Sequence, residues 1–93
     1  MRFEWGADKA ASNFEKHGVS FEEASTVFGD ILARTDLDVY HSEAEERFIT
    51  IGMSIEGHLL VVWHMDQEDD DVVRIIGARR STPSERRAYE SGR

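Results

Sequence analysis

The run Leu59-Leu60-Val61-Val62-Trp63-His64 constrains the fold of this chain more than any other segment. Its residues are apolar at odd and at even positions, so a β-strand formed by them buries both of its faces. Such a strand must lie inside a sheet and be covered by side chains above and below. The sequence therefore predicts a central strand here.

Four other segments are predicted to be strands. The firmest is Arg47 to Ser54, in which Ile49, Ile51 and Met53 alternate with Phe48 and Thr50. The segment from Val72 to Ala78 is expected to return beside the central strand after an acidic hairpin tip, Asp66 to Asp71. Weaker patterns predict strands over Ala33 to Tyr40 and Arg2 to Trp5.

Three helices are predicted from their start and stop signals. The first runs from Asp8 to His17 and ends at Gly18. The second begins at Ser20, where Glu23 completes a capping box, and it ends at Gly29. The third begins at Thr82, with Pro83 at the first helical position and Glu85 closing a second capping box.

The predicted order is β-α-α-β-β-β-β-α, which describes a single α+β domain over residues 1–93. An antiparallel sheet of four to five strands is expected to pack against the two N-terminal helices, with a short C-terminal helix after it. Eight side chains are predicted to be largely buried: Trp5, Phe21, Val27, Phe28, Ile49, Ile51, Leu60 and Val62.

Composition limits the compartment and the partners. The chain has no cysteine and no apolar stretch that would suit a signal peptide or a membrane span, which favours a cytoplasmic protein without membrane contact. Its net charge of −8 opposes tight, sequence-independent binding of nucleic acid. Any activity on RNA is therefore expected to depend on a local basic patch.

Such a patch is present near the C-terminal end. The segment from Arg74 to Glu90 carries five of the eleven lysines and arginines of this acidic chain. The planar guanidinium group suits phosphate and carboxylate, so the segment is interpreted as a phosphate-contacting edge. The alternative is that these arginines pair with the nineteen acidic residues and form a solvated rim.

The chain resembles the BrnT-type toxin family, whose members look like RelE-type ribonuclease toxins. The matching pieces are Phe3-Glu4-Trp5, Lys9-Ala10, Asn13, Lys16-His17-Gly18-Val19-Ser20-Phe21-Glu22, Val27-Phe28, His41-Ser42, Glu45-Glu46-Arg47, Ile51-Gly52, Arg74-Ile75-Ile76, Ala78-Arg79-Arg80, Glu85-Arg86-Arg87 and Tyr89. The resemblance implies a type II toxin that cleaves RNA without metal and is neutralised by a ribbon-helix-helix antitoxin. DNA would be reached only through that antitoxin, and the assembly would be a homodimer or a toxin–antitoxin hetero-oligomer.

Metal-free RNA cleavage needs a base, an acid and cations around the phosphorane. The four histidines show no metal-ligand spacing, so neither a metal nor another cofactor is predicted. We expect Arg47, Arg74, Arg80 and Arg86 to face phosphate and His41 to act as acid or base. Arg79 and Arg80 point to opposite faces of a strand, and alternation assigns Arg80 to the face of Arg74. His64 is expected to be a buried or edge histidine with one hydrogen bond.

Two other functions stay open at this point. The acidic run from Asp66 to Asp71 would oppose RNA if the hairpin approached it, so the chain could be a weak or inactive member that serves as a co-repressor module. Without the family resemblance, the chain could also be a small interaction domain whose arginine rim meets an acidic protein.

Overall fold

The computed structural model describes residues 1–42, 45–67 and 71–92. Apart from a 3₁₀ turn at Thr26–Gly29, the elements follow the predicted order. They are β1 (Arg2–Glu4), α1 (Ala7–His17), α2 (Phe21–Ser25), β2 (Arg34–Leu37), β3 (Phe48–Met53), β4 (Leu59–Gln67), β5 (Val72–Arg80) and α3 (Pro83–Glu90).

The sheet confirms the central position of the apolar run. Its strand order is β1-β5-β4-β3-β2, so β4 lies in the middle with β3 and β5 paired antiparallel on its two sides. The expected N-terminal strand is also present, but β1 pairs with β5 in parallel, with Phe3 opposite Val73. The sheet is therefore mixed, with four antiparallel strands and one parallel edge strand.

The core lies between the sheet and the two N-terminal helices. Phe21, Val27, Leu60 and Val62 are fully buried there, as predicted. Trp5 and Phe28 are partly buried against the same cluster.

Ile49 and Ile51 were predicted to be largely buried but are only partly buried, because β3 turns Thr50 into this core. The Thr50 hydroxyl lies 2.7 Å from His64 Nε2 and 2.6 Å from the Thr35 hydroxyl, so its burial leaves no polar atom without a partner. The two isoleucines lie on the opposite face of the sheet and are half-buried.

The predicted helix signals are formed with one difference. Gly18 adopts a left-handed conformation (φ 69°) and its N–H bonds to the Phe14 carbonyl at 2.8 Å. The capping box of α3 is complete. In α2 the Ser20 hydroxyl accepts from the Glu23 N–H at 3.0 Å, but the Glu23 carboxylate reaches the Ser54 hydroxyl and His58. The side chain expected to cap α2 is therefore used to join α2 to the start of β4.

The amide of Asn13 fixes α1 to the sheet. It donates to the carbonyls of Val19 and Ala78 at 3.1 and 2.9 Å and accepts from the Ala78 N–H at 3.1 Å. Ala78 follows a β-bulge, because Trp63 pairs with Gly77 while His64 pairs with Ile75. The helix thus supplies the hydrogen bonds at a place where the strand ladder is irregular. None of the described helices has the length and apolar character that a membrane span requires.

Candidate functional site

The second face of the sheet, opposite α1 and α2, combines apolar and basic side chains. Strand register places Ile49, Val61, Trp63, Met65, Arg74 and Arg79 on this face. Helix α3 lies over one end of it, where Arg34, Ile51, Val61 and Tyr89 line a groove beneath the helix. The basic residues at the end of β5 are therefore next to α3.

The bulge reverses the predicted positions of Arg79 and Arg80. Arg74 is opposite Met65 and Arg79 is opposite Val61, so these two arginines share the second face. The expectation that Arg80 joins Arg74 is wrong, because the bulge shifts the alternation of side chains by one residue. Arg80 instead points toward the side of the sheet covered by α2, where it meets His58.

Arg79 is occupied with holding α3. Its guanidinium carbon lies 5.1 Å from the centre of the Trp63 ring. Its two terminal nitrogens bond to the two carboxylate oxygens of Glu85 at 2.8 and 2.9 Å. This hydrogen-bonded pair lowers the pKa of Glu85 to about 2. Arg79 therefore anchors α3 on the sheet.

Arg47, Arg74 and His41 lie at the end of the sheet away from this anchor. Arg47 precedes β3 on the second face, and within the described part of the chain its guanidinium has no bonded partner. Arg74 pairs with Glu4 at 3.0 Å. His41, in the loop after β2, bonds through Nδ1 to the buried carboxylate of Asp38 at 2.8 Å.

Arg80 and Arg86 line a cleft of about 250 Å³ between the start of β4 and the start of α3. We call it the α3 cleft. His58, Leu59, Thr82 and Pro83 also line it. Arg80 is roughly 20 Å along β5 from Arg74, at about 3.3 Å per residue. The structure therefore divides the five sequence-predicted residues into two groups, and Arg80 and Arg86 are the pair that lines the α3 cleft.

The imidazole of His58 is held in one orientation within the α3 cleft. Its Nδ1 lies 2.7 Å from Glu23 Oε2, and its Nε2 lies 3.2 Å from Nη2 of Arg80. A carboxylate only accepts and a guanidinium only donates, so Nδ1 carries the proton and Nε2 presents its lone pair. His58 was not predicted from the sequence, because no spacing pattern connects Glu23 with a histidine that follows it by 35 positions.

One group of side chains near the cleft has the donors for a metal ion. The ligand atoms of Glu23, Glu56 and His58 all lie within 4.8 Å of one another. However, Glu23 Oε2 already accepts from Ser54 and His58, and the cation of Arg80 lies beside the imidazole. Positive charge at that position repels a metal ion. The arrangement fits the transfer of a proton better than the binding of a metal.

A second cleft, of about 200 Å³, runs along α1 and is lined by Lys9, Ser12, Asn13, Lys16, His17 and Ile76. Its basic side chains are two lysines and one histidine at the end of a helix. Lysine presents a point charge, whereas the guanidinium fork matches two phosphate oxygens at once. The α3 cleft is therefore the better site for a reacting phosphate.

Several arginines of the C-terminal segment form ion pairs, as the solvated-rim alternative predicted. Arg74 pairs with Glu4, Arg79 with Glu85, and Arg86 with Glu90 at 3.3 Å. The Arg86–Glu90 pair is exposed on both sides, so it contributes little and a phosphate can replace the carboxylate. The hydrogen bond of Arg80 to a neutral imidazole is likewise open to exchange.

The acidic tip lies at the far end of the β4–β5 hairpin. Arg80 and Val72 are at opposite ends of β5, which separates the α3 cleft from the tip by roughly 25 Å. This exceeds the Debye length of about 8 Å at physiological salt. Asp66 and Asp71 are also engaged, with His64 and with the terminal amino group of Met1. Residues 68–70 of the predicted tip lie outside the described residues.

His64 is buried, as expected, but it makes two hydrogen bonds where one was predicted. Its Nδ1 lies 2.7 Å from Asp66 Oδ1 and its Nε2 lies 2.7 Å from the Thr50 hydroxyl. Burial lowers the pKa of His64 and outweighs the opposing effect of Asp66. The neutral imidazole therefore donates to Asp66 and accepts from Thr50, which makes it a structural residue.

The protein is expected to lose stability as the pH falls below about 6.5, the ordinary pKa of histidine. The unfolded chain takes up a proton that the folded imidazole resists, so unfolding is favoured in this window. Urea titrations between pH 7.5 and 5 measure how steeply the free energy of unfolding changes with pH. The variant His64→Gln should show a smaller slope. Carboxylates whose pKa is lowered by folding, such as Glu85, change the stability of the protein only at lower pH. An unchanged slope in the variant would assign the effect to another group.

Comparison with known proteins identifies the family and agrees with the fold. The model of the family described as "Ribonuclease toxin, BrnT, of type II toxin-antitoxin system" matches residues 5–85. The chain therefore belongs to this family, and it is the ribonuclease toxin of a type II toxin–antitoxin system, which implies an antitoxin as its partner. The resemblance found in the sequence is confirmed.

A crystal structure of the Brucella abortus ribonuclease toxin BrnT, determined at 1.1 Å resolution, has a similar fold. The TM-score is 0.66 at 19% sequence identity, and the match covers 88% of this chain and 97% of that one. No curated protein matches the chain. At this identity the structural match supports the α+β fold and does not extend to individual site residues.

Proposed function

We propose that this toxin inhibits translation by cleaving RNA without a metal ion, and that Arg80 and Arg86 hold the scissile phosphate in the α3 cleft. The observation that carries the proposal is that two guanidinium groups and an oriented imidazole converge on one cleft. Two guanidinium groups neutralise the charge that develops on the phosphorane, which is the role a metal ion would otherwise fill.

Arg47, Arg74 and His41 are assigned a lesser role, in which they contact the RNA backbone outside the cleft. Arg74 is near the acidic tip, since it follows Val72 by two residues in β5. Negative charge so close to Arg74 weakens its attraction for phosphate. These residues are therefore expected to affect RNA binding more than the chemical step.

Cleavage of a defined RNA by the purified toxin, freed of antitoxin, tests the proposal. We expect cleavage to continue in excess EDTA, because no step depends on a metal. The control is RNA without protein in the same buffer. If EDTA abolishes cleavage and Zn²⁺ or Mg²⁺ restores it, the proposal is wrong and the group Glu23, Glu56 and His58 becomes the metal site. If the purified toxin does not cleave RNA at all, the proposal fails and the alternative of a co-repressor module is favoured.

We further propose that the cytoplasmic partner is a ribbon-helix-helix antitoxin that covers the α3 cleft with carboxylates and adjacent apolar side chains. Toxin and antitoxin would form a hetero-oligomer, and DNA would be bound only through the antitoxin. Support comes from Arg80 and Arg86, which form an exposed basic region on a chain of net charge −8. Opposite charges on the two proteins accelerate their association, and apolar side chains buried at the interface supply the affinity.

Charge reversal by Arg80→Glu or Arg86→Glu is expected to slow association with the antitoxin on the order of tenfold at low salt. Rising salt should also slow association of the wild-type toxin with the antitoxin, because salt screens the attraction between opposite charges. Stopped-flow or surface-based kinetics measure both effects. Lys9→Glu on α1 changes the charge equally at a different surface and serves as the control. A larger effect of Lys9→Glu than of Arg80→Glu would place the antitoxin on α1.

A further inference from the structure

We propose that His58 is the general base of RNA cleavage and that Glu23 is the residue that positions it. The inference deepens the function proposed for the α3 cleft and rests on it. Neither the family match nor the sequence patterns single out His58.

The backbone around His58 is fixed by a tight turn. Gly57 has a φ of 83°, and its N–H bonds to the Ser54 carbonyl at 2.9 Å. The Ser54 hydroxyl accepts from the His58 N–H at 3.2 Å and donates to Glu23 Oε2 at 2.6 Å. Ser54 therefore holds both the histidine backbone and the carboxylate that orients the imidazole.

Glu23 is well suited to orient a base. Burial alone would raise the pKa of Glu23, but hydrogen bonds from Ser54 and His58 and the nearby charge of Arg80 lower it. The carboxylate is therefore ionised at neutral pH and accepts a hydrogen bond from the Nδ1–H group of His58. A capping box would have turned this side chain toward the start of α2, and the structure directs it to His58 instead. A fixed carboxylate that orients an imidazole is a recurrent device of general-base catalysis.

The other nitrogen of the imidazole faces the cleft. The His58 side chain is 32% exposed, whereas that of Glu23 is 9% exposed, so RNA reaches the histidine and not the carboxylate. Nε2 accepts a hydrogen bond from Arg80 at 3.2 Å. When a phosphate binds, the Arg80 guanidinium turns to the phosphate oxygens and the lone pair of Nε2 becomes available.

Cleavage then proceeds by attack of the ribose 2′-oxygen on the adjacent phosphorus. Nε2 of His58 takes the proton of a ribose 2′-hydroxyl, and the 2′-oxygen forms a bond to the adjacent phosphorus. The bond from phosphorus to the 5′-oxygen breaks, and that oxygen takes a proton from water. Arg80 and Arg86 stabilise the non-bridging oxygens throughout. The products are a 2′,3′-cyclic phosphate and a 5′-hydroxyl, and the imidazolium returns its proton to solvent.

Four charged groups lie around the imidazole. They are Glu23 from α2, Glu56 from the turn, Arg80 from β5 and Arg86 from α3. Cleavage is expected to decline on the acidic side of its pH profile, where the base is already protonated.

The test compares cleavage of one RNA by wild-type toxin, His58→Gln and Glu23→Gln across pH 5 to 9. We expect His58→Gln to lower kcat/KM by about 10²-fold or more and to remove the acidic limb of the profile. Glu23→Gln should have a smaller effect and should move that limb to lower pH, because an amide does not stabilise positive charge on the ring. A purely structural role of Glu23 would lower the rate equally at every pH.

A substrate with sulfur in place of the 5′-oxygen separates a base from an acid. Sulfur leaves without protonation, so it rescues the loss of an acid and not the loss of a base. We expect no rescue of His58→Gln, and rescue would overturn the assignment as base. If His58→Gln keeps wild-type activity while Arg80→Ala with Arg86→Ala loses it, the inference fails and the proposed function stands. If neither change affects cleavage, the α3 cleft is not the site and both fail.

Discussion

Replacing both Arg80 and Arg86 by alanine is expected to lower kcat/KM for RNA cleavage by about 10²-fold or more. These residues line the same cleft, and each presents a planar fork of donors that matches phosphate oxygens. Charge develops on those oxygens in the transition state, so the loss should fall mainly on kcat. Initial rates with a short labelled RNA at several concentrations separate kcat from KM.

The matched control is the double change Arg47→Ala with Arg74→Ala, which removes equal charge at the other end of the sheet. This variant should raise KM at low salt and leave kcat close to wild type. Both double variants should keep the wild-type fold, because all four side chains are at least partly exposed. If kcat falls more for Arg47→Ala with Arg74→Ala than for Arg80→Ala with Arg86→Ala, the reacting phosphate binds on the second face of the sheet.

Phe21→Ala is expected to lower the free energy of unfolding by about 3–5 kcal/mol. The ring is completely buried and meets the Trp5 ring edge-on, with 6.0 Å between ring centres. Its removal takes apolar surface from the core and leaves a cavity that the surrounding strands fill only in part. Small domains have a total stability of about 5–15 kcal/mol, so the variant should be close to unfolding at 37 °C.

Phe14→Ala serves as the control, because this residue on α1 is 57% exposed. This change removes the same number of atoms, but the free energy of unfolding is expected to fall by only about 0.5 kcal/mol or less. Chemical denaturation followed by circular dichroism measures both variants. Equal losses for the two phenylalanines would mean that the contact between α2 and the sheet does not determine stability.

The elements of this fold were predictable because their signals are local. The run from Leu59 to His64 is apolar on both faces, and it forms the central strand. Gly18 and the capping box of α3 are formed as expected. The prediction that Ile49 and Ile51 are largely buried was wrong, since β3 buries Thr50 and leaves the two isoleucines partly exposed. A hydroxyl can enter a core when partners from other strands satisfy it, and sequence patterns do not show those partners.

The sequence by itself determined the family, the strand and helix order, and the concentration of arginine near the C-terminal end. Only the tertiary structure decided which arginines share a site. One bulge in β5 shifts the side-chain alternation and sends Arg80 toward His58, while Arg79 is held by Glu85. Glu23, His58 and Arg80 meet because α2, the turn before β4 and the end of β5 converge. Contacts between residues so far apart in the chain depend on packing and register, which no local pattern encodes.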